Sequence, residues 1–130
     1  VTIRVLIADD HDLIRHGFSM ILDAQPDLQG VGEVADGEAA LTAARRLFPD
    51  VVLADIRMPK LDGIEVLKRL NNSTASDPPK VIVVTTFDDD VYVRAALDSG
   101  AAGFVLKRSG PTLLVEAIRA AAAGDAAVRT

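Results

Sequence analysis

Five short runs rich in β-branched and aliphatic residues recur along the chain: IRVLIA (3–8), QGVGEVA (29–35), VVLA (51–54), KVIVVT (80–85) and GFVLK (103–107). Each is followed by a stretch whose apolar residues return at helical spacing. This alternation leaves few folds open. Strands that run in the same direction cannot be joined by a tight turn, and a helix is the usual crossover. Runs that are apolar on both faces need helices above and below.

The expected architecture is therefore α/β: a flavodoxin-like (βα)5 doubly wound parallel sheet with right-handed crossovers and strand order 2-1-3-4-5. The helical faces read as Leu13, Ile14, Phe18, Ile21 and Leu22, then Ala40, Leu41, Ala44, Leu47 and Phe48, ended by Pro49. Ile64, Leu67 and Leu70 mark a third helix over about 63–71. Tyr92, Ala95, Ala96 and Ser99 mark a fourth, capped by Asp88. Leu113, Leu114, Ala117, Ile118 and Ala121 form the inner face of the last, with Pro111 near its start. Asp36-Gly37 reads as a turn, and the polar 71–79 segment as the longest loop and a mobile one.

Bulk properties narrow the function. With 130 residues the chain is the size of one domain, and its formal charge of −5 includes no stripe of Lys and Arg that would suit nucleic acid. The absence of cysteine excludes thiol catalysis, disulfides and Cys-ligated zinc, and fits a cytoplasmic location. No apolar run is long enough for a membrane span, and no signal peptide is evident. The start at Val1 reads as processing or trimming of a longer chain.

In sheets of this kind ligands bind beyond the carboxyl ends of the strands. Asp9 and Asp10 end the first strand, Asp55 the third, Thr85 the fourth and Lys107 the fifth. Three carboxylates on one rim repel each other, and an oxygen-seeking cation such as Mg2+ removes that repulsion. Lys107 and Thr85 are suited to phosphoryl oxygens. Asp55 then becomes a nucleophile that takes a phosphoryl group as an acyl phosphate.

The motifs VLIADDH, VVLADIRMPKLDG, VVTTFDDD and AAGFVLK, in that order, resemble the receiver domain of bacterial two-component response regulators. The nearest resemblance is to the NarL/FixJ (LuxR-type) subfamily, whose receivers precede a helix-turn-helix DNA-binding domain. It covers about residues 3–124. It implies Asp55 as phosphoacceptor, accepting from a sensor histidine kinase. It implies Mg2+ held by Asp10, Asp55 and the backbone carbonyl of Arg57, with Asp9 acting through a water. Lys107 would pair with the phosphoryl group, while Thr85 and Phe104 would form a switch. Arg57 and Phe87 would tune the phosphoryl lifetime. Arg108 stands where some receivers have proline, so a cis peptide after Lys107 is not expected. The resemblance also implies a receiver over 1–124, with 125–130 starting a linker to an absent C-terminal DNA-binding domain. DNA would be met only through that domain, and a homodimer on phosphorylation is expected.

Each signal has a plainer reading. Asp9-Asp10 could cap a helix, Lys107 could be a solvated strand end, and Phe104 could be core alone. His11 invites a ligand reading but is expected to be merely solvated. Asp88, Asp89 and Asp90 fit a helix N-terminus. Two other functions compete with the switch: a phosphorylation-independent interaction module, and a phosphohydrolase with an aspartyl-phosphate intermediate. The hydrolase fits less well, because its usual Asp-x-Asp pair is here adjacent. Along a strand, adjacent side chains point to opposite faces. The switch chemistry would act only on the protein itself, so no metabolic enzyme is expected.

Overall fold

A computed structural model describes residues 2–73, 77–85, 90–124 and 127–128. In chain order the elements are β1 (Ile3–Ala8), α1 (Asp12–Asp23), β2 (Leu28–Val34), α2 (Gly37–Leu47), β3 (Val51–Asp55) and α3 (Gly63–Asn71). They continue with β4 (Lys80–Thr85), α4 (Asp90–Asp98), β5 (Gly103–Leu106), α5 (Pro111–Ala122) and β6 (Ala127–Val128). The sheet runs β2-β1-β3-β4-β5-β6 with every pair parallel, so the expected 2-1-3-4-5 order is present. The sixth strand pairs Ala127 with Gly103 and Val128 with Phe104, within the stretch read from sequence as the start of a linker.

Period-two alternation divides the core between the two faces. Leu6, Ala8, Val52, Ala54, Val81, Val83 and Phe104 pack with α2, α3 and Ala96 of α4. Val5, Ile7, Val51, Leu53, Ile82, Val84 and Val105 pack with α1 and α5. Burying a Leu or Ile side chain is worth about 1.5–3 kcal/mol, so the two faces together fix the sheet between its helices.

The helix starts are chemically marked. Asp36 and Asp62 each accept a hydrogen bond at 2.8 Å, from the backbone N–H of Ala39 and Glu65. Asp36-Gly37 is thus the N-terminal boundary of α2 rather than a free turn. Pro111 takes the first position of α5, where its missing N–H costs nothing.

Two residues expected inside lie outside. Leu13 is 86% exposed, because the buried stripe of α1 runs through Ile14, Phe18, Ile21 and Leu22, whereas Leu13 shares the outer face with Met20. Phe48 is 79% exposed. Helix α2 ends at Leu47, and Phe48 takes a left-handed conformation (φ 51°) that turns its ring off the helical face. Among the described residues no peptide bond is cis. Residues 74–76 of the polar loop, and Asp88 with its proposed cap, lie outside the described residues.

Candidate functional site

The rim is built by extending the sheet ladder just past the strands. The N–H of Asp9 donates to Val34 O (3.0 Å), that of Ile56 to Val84 O (2.9 Å), and that of Lys107 to Thr85 O (2.7 Å). These bonds fix the backbone where the chain turns away, and they bring Asp9, Asp55 and Lys107 together. Because β1 ends at Ala8, Asp9 and Asp10 escape the alternation that would send adjacent strand side chains apart. Both reach the same rim.

Lys107 is the centre of the site. Its Nζ lies 3.0 Å from Asp55 Oδ2, a hydrogen bond, and 3.0 Å from Asp9 Oδ2. Its side chain is only 6% exposed, unlike a solvated strand end. The Asp9 side chain is buried. Its Oδ2 touches Lys107 as an ion pair, yet receives no hydrogen bond. Its Oδ1 accepts from the backbone N–H of His11 at 2.9 Å. Asp55 Oδ1 accepts from the backbone N–H of Arg57 at 3.3 Å.

One ammonium shared by two buried acids produces an uneven balance. Burial is the largest influence on Asp55 and pushes its carboxyl above the usual range; Lys107 pulls it down, the charge of Asp9 pushes it up, and the net direction is upward. For Lys107 burial acts downward, but the hydrogen bond to Asp55 and the contact with Asp9 outweigh it, and its pKa is raised. The cation gains from both acids while each acid has only part of the cation.

Asp9, Asp10, His11 and Asp55 each offer one ligand atom within 4.8 Å of the others. Three carboxylates against one ammonium leave an excess of negative charge. That excess makes the pocket compatible with Mg2+. Beside it opens a cleft of about 510 Å3, lined by Asp10, Arg57, Met58 and Tyr92 among others. Thr85 is buried at the end of β4, between Asp55 and Lys107. Phe104 is also buried, so its ring already packs in the core. Phe87 lies outside the described residues.

Three side chains make contacts that the sequence reading of the rim did not assign to them. His11, expected to be merely solvated, places Nδ1 3.2 Å from Asp9 Oδ1 and 3.3 Å from Asp10 Oδ1. Arg15 donates to the backbone carbonyl of Asp9 at 2.8 Å while contacting Asp12 and Glu33, and so anchors the acid from behind. Arg57 stacks its guanidinium 5.5 Å from the centroid of Tyr92 and ties the loop after β3 to α4. Arg15 and Tyr92 meet partners on other elements, which no local pattern announces. His11 directly follows the acidic pair, and that adjacency was the available signal.

A buried acid paired with a lysine thus stands beyond the carboxyl ends of a parallel sheet, where ligands bind in folds of this kind. The response regulator receiver domain model matches residues 5–119, and the chain belongs to that family, within its NarL/FixJ (LuxR-type) branch. It is similar to transcriptional regulatory protein LiaR of Bacillus subtilis, 42% identical over 123 residues covering 95% of this chain and 57% of LiaR. Response regulator GacA of Pseudomonas viridiflava is 43% identical over 123 residues, covering 95% of this chain and 56% of GacA. A LuxR-family two-component response regulator from an Aurantimonas species superposes with a TM-score of 0.90 at 29% identity, covering 99% of this chain and 90% of that one. The chain spans little more than half the length of the curated relatives it matches. Among the described residues no helix is long and apolar enough to cross a membrane.

Proposed function

We propose that the chain is a phosphorylation-driven switch in which Asp55 is the phosphoacceptor. The observation that carries this reading is the single lysine shared by two buried acids at the sheet edge, with Lys107 Nζ 3.0 Å from Asp55 Oδ2. A carboxylate drawn out of water, with its proton affinity raised, is the better nucleophile. A carboxylate oxygen of Asp55 attacks phosphorus, the bond from phosphorus to the donor breaks, and the donor leaves with the electron pair. Lys107 is already beside the reacting carboxylate and balances charge on the phosphoryl oxygens.

Asp10, Asp55 and the backbone carbonyl of Arg57 would hold Mg2+, with Asp9 acting through a water, and the cation would supply charge neutralisation on the phosphoryl group. The Thr85 hydroxyl turns toward the phosphoryl group, and Phe104 repacks behind it, which alters the α4–β5–α5 surface. The phosphoryl group shifts this balance only by what it gains in the active arrangement. Arg57 and Phe87 set how long it survives. Autophosphorylation and hydrolysis of this one bond are the only chemistry assigned.

The natural donor in this reading is a sensor histidine kinase in the cytoplasm. Residues 1–124 carry the five strands and five helices of the receiver, the short β6 extends its sheet, and the chain leads from there toward a C-terminal helix-turn-helix domain that contacts DNA. Phosphorylation favours a homodimer. Intact mass after incubation with Mg2+ and acetyl phosphate tests the chemistry. A single phosphoryl adduct on wild type, absent in Asp55→Asn and absent with chelator, is the expected result. No adduct after rapid acid quenching would leave a phosphorylation-independent interaction module instead.

A further inference from the structure

Helix α4 has little hold on the core. Among its described residues only Ala96 is buried, while Tyr92, Val93 and Ala95 reach the core in part and Val91 is 75% exposed. Helices α3 and α5 each bury five residues. An element with so few buried contacts depends on what touches its ends. At the C-terminal end Asn71 of α3 donates from Nδ2 to the carbonyl of Ser99 at 2.8 Å, and the N–H of Ala101 donates to Ala96 O at 3.0 Å. In the first half of the helix the contact is Tyr92, whose ring centroid lies 5.5 Å from the Arg57 guanidinium. Arg57 in turn donates its backbone N–H to Asp55 Oδ1 at 3.3 Å. One residue thus touches the acid with its backbone and α4 with its side chain.

Arg57, Tyr92 and Asp10 line the same cleft of about 510 Å3 beside the acids. An aromatic face orients a guanidinium without using up its N–H donors. A phosphoryl group on Asp55 adds negative charge next to that cleft. Charge-assisted hydrogen bonds to phosphoryl oxygens are roughly twice as strong as neutral ones, whereas an exposed cation–π contact lies at the weak end of its range. The phosphoryl group is therefore the better partner for the cation. We propose that Arg57 latches the first half of α4 through Tyr92 while Asp55 is unphosphorylated, and releases it when the phosphoryl group draws the guanidinium off the ring. The helix then pivots on the end that Asn71 holds. This link from the acid to α4 uses neither Thr85 nor Phe104, and it rests on Asp55 as the phosphoacceptor.

The test follows tyrosine emission and amide hydrogen exchange by NMR before and after treatment with Mg2+ and acetyl phosphate, with intact mass reporting the adduct on the same samples. Phosphorylation of wild type is expected to bring the emission of Tyr92 to that of unphosphorylated Arg57→Ala. The amides of Arg94 and Ala95 should then exchange about fivefold faster, the size of an exposed cation–π contact, while those of Ser99 and Ala101 stay as they were. Tyr92→Leu should show the faster exchange without phosphorylation, and Tyr92→Phe, which keeps an aromatic face, should behave as wild type. A wild-type adduct that leaves both the emission and the exchange of α4 unchanged would overturn the inference and leave Asp55 standing as phosphoacceptor. Slow exchange in Tyr92→Leu would overturn it as well. No adduct on wild type would overturn the phosphoacceptor reading and the latch with it. The emission arm on wild type needs no variant to fold.

Discussion

Lys107, just beyond β5, reaches across the end of β4 to place its ammonium 3.0 Å from the Oδ2 of Asp55 at the end of β3. The contact joins strands that are not neighbours, and the buried Asp9 from β1 meets the same ammonium at 3.0 Å. Three strands are thereby tied at one charged point. What changes the charge there changes stability.

Asp55→Asn is expected to raise the thermal midpoint by a few degrees near neutral pH. A carboxyl whose folded pKa is raised destabilises the fold once it must ionise there. The penalty is absent below the unfolded value of 3.8, grows as pH rises toward the folded value, and is complete above it. The advantage of Asn should therefore shrink as the medium is made acidic. Melts of both proteins across this range check the sign, and a difference independent of pH would contradict it.

Lys107→Met should cost about 3 kcal/mol in metal-free buffer, because two buried acids lose their cation. Urea unfolding at neutral pH measures this. The raised pKa of Lys107 means that its contribution is full below the unfolded value of 10.5 and is lost as pH rises through the folded one. Wild type should accordingly lose more stability than the variant in strongly alkaline solution.

Mg2+ should stabilise the wild-type fold, by about 2.7 kcal/mol at one hundred times its Kd. Asp10→Asn should reduce that gain by removing one of the clustered ligand atoms. Thermal melts with and without Mg2+ decide the matter: midpoints unmoved in both proteins would speak against a cation site.

Gly63→Ala should destabilise by about 2 kcal/mol and slow adduct formation at Asp55. A Cβ at Gly63 would run into the backbone carbonyl oxygen of Asp55 and stand 2.9 Å from its carbonyl carbon and 3.1 Å from Ile56 Cα. None of these atoms can yield without moving Asp55. Chemical denaturation and time-resolved intact mass would show the two effects together.

Arg57→Ala should change the fluorescence of Tyr92 while altering stability by less than about 1 kcal/mol. The chain holds one tyrosine and no tryptophan, so its intrinsic emission reports on that ring alone. Identical emission from the two proteins would mean that the stack does not persist in solution.

The alternation of apolar runs with amphipathic stretches determined the sheet, its helices and the rim on which Asp9, Asp10, Asp55, Thr85 and Lys107 would stand. Those features follow from period and from order along the chain, which sequence carries directly. Leu13 and Phe48 escaped the pattern because which residues a helix turns outward depends on its rotation, and which residue follows it depends on where the helix stops. Tertiary structure alone decided that Lys107 is buried and shared by two acids, that Arg15 braces Asp9, and that Arg57 meets Tyr92. The reason is physical: burial and pKa are set by atoms from β1, β3, β5, α1 and α4 arriving at the same point, and distance along the chain does not encode distance in the fold.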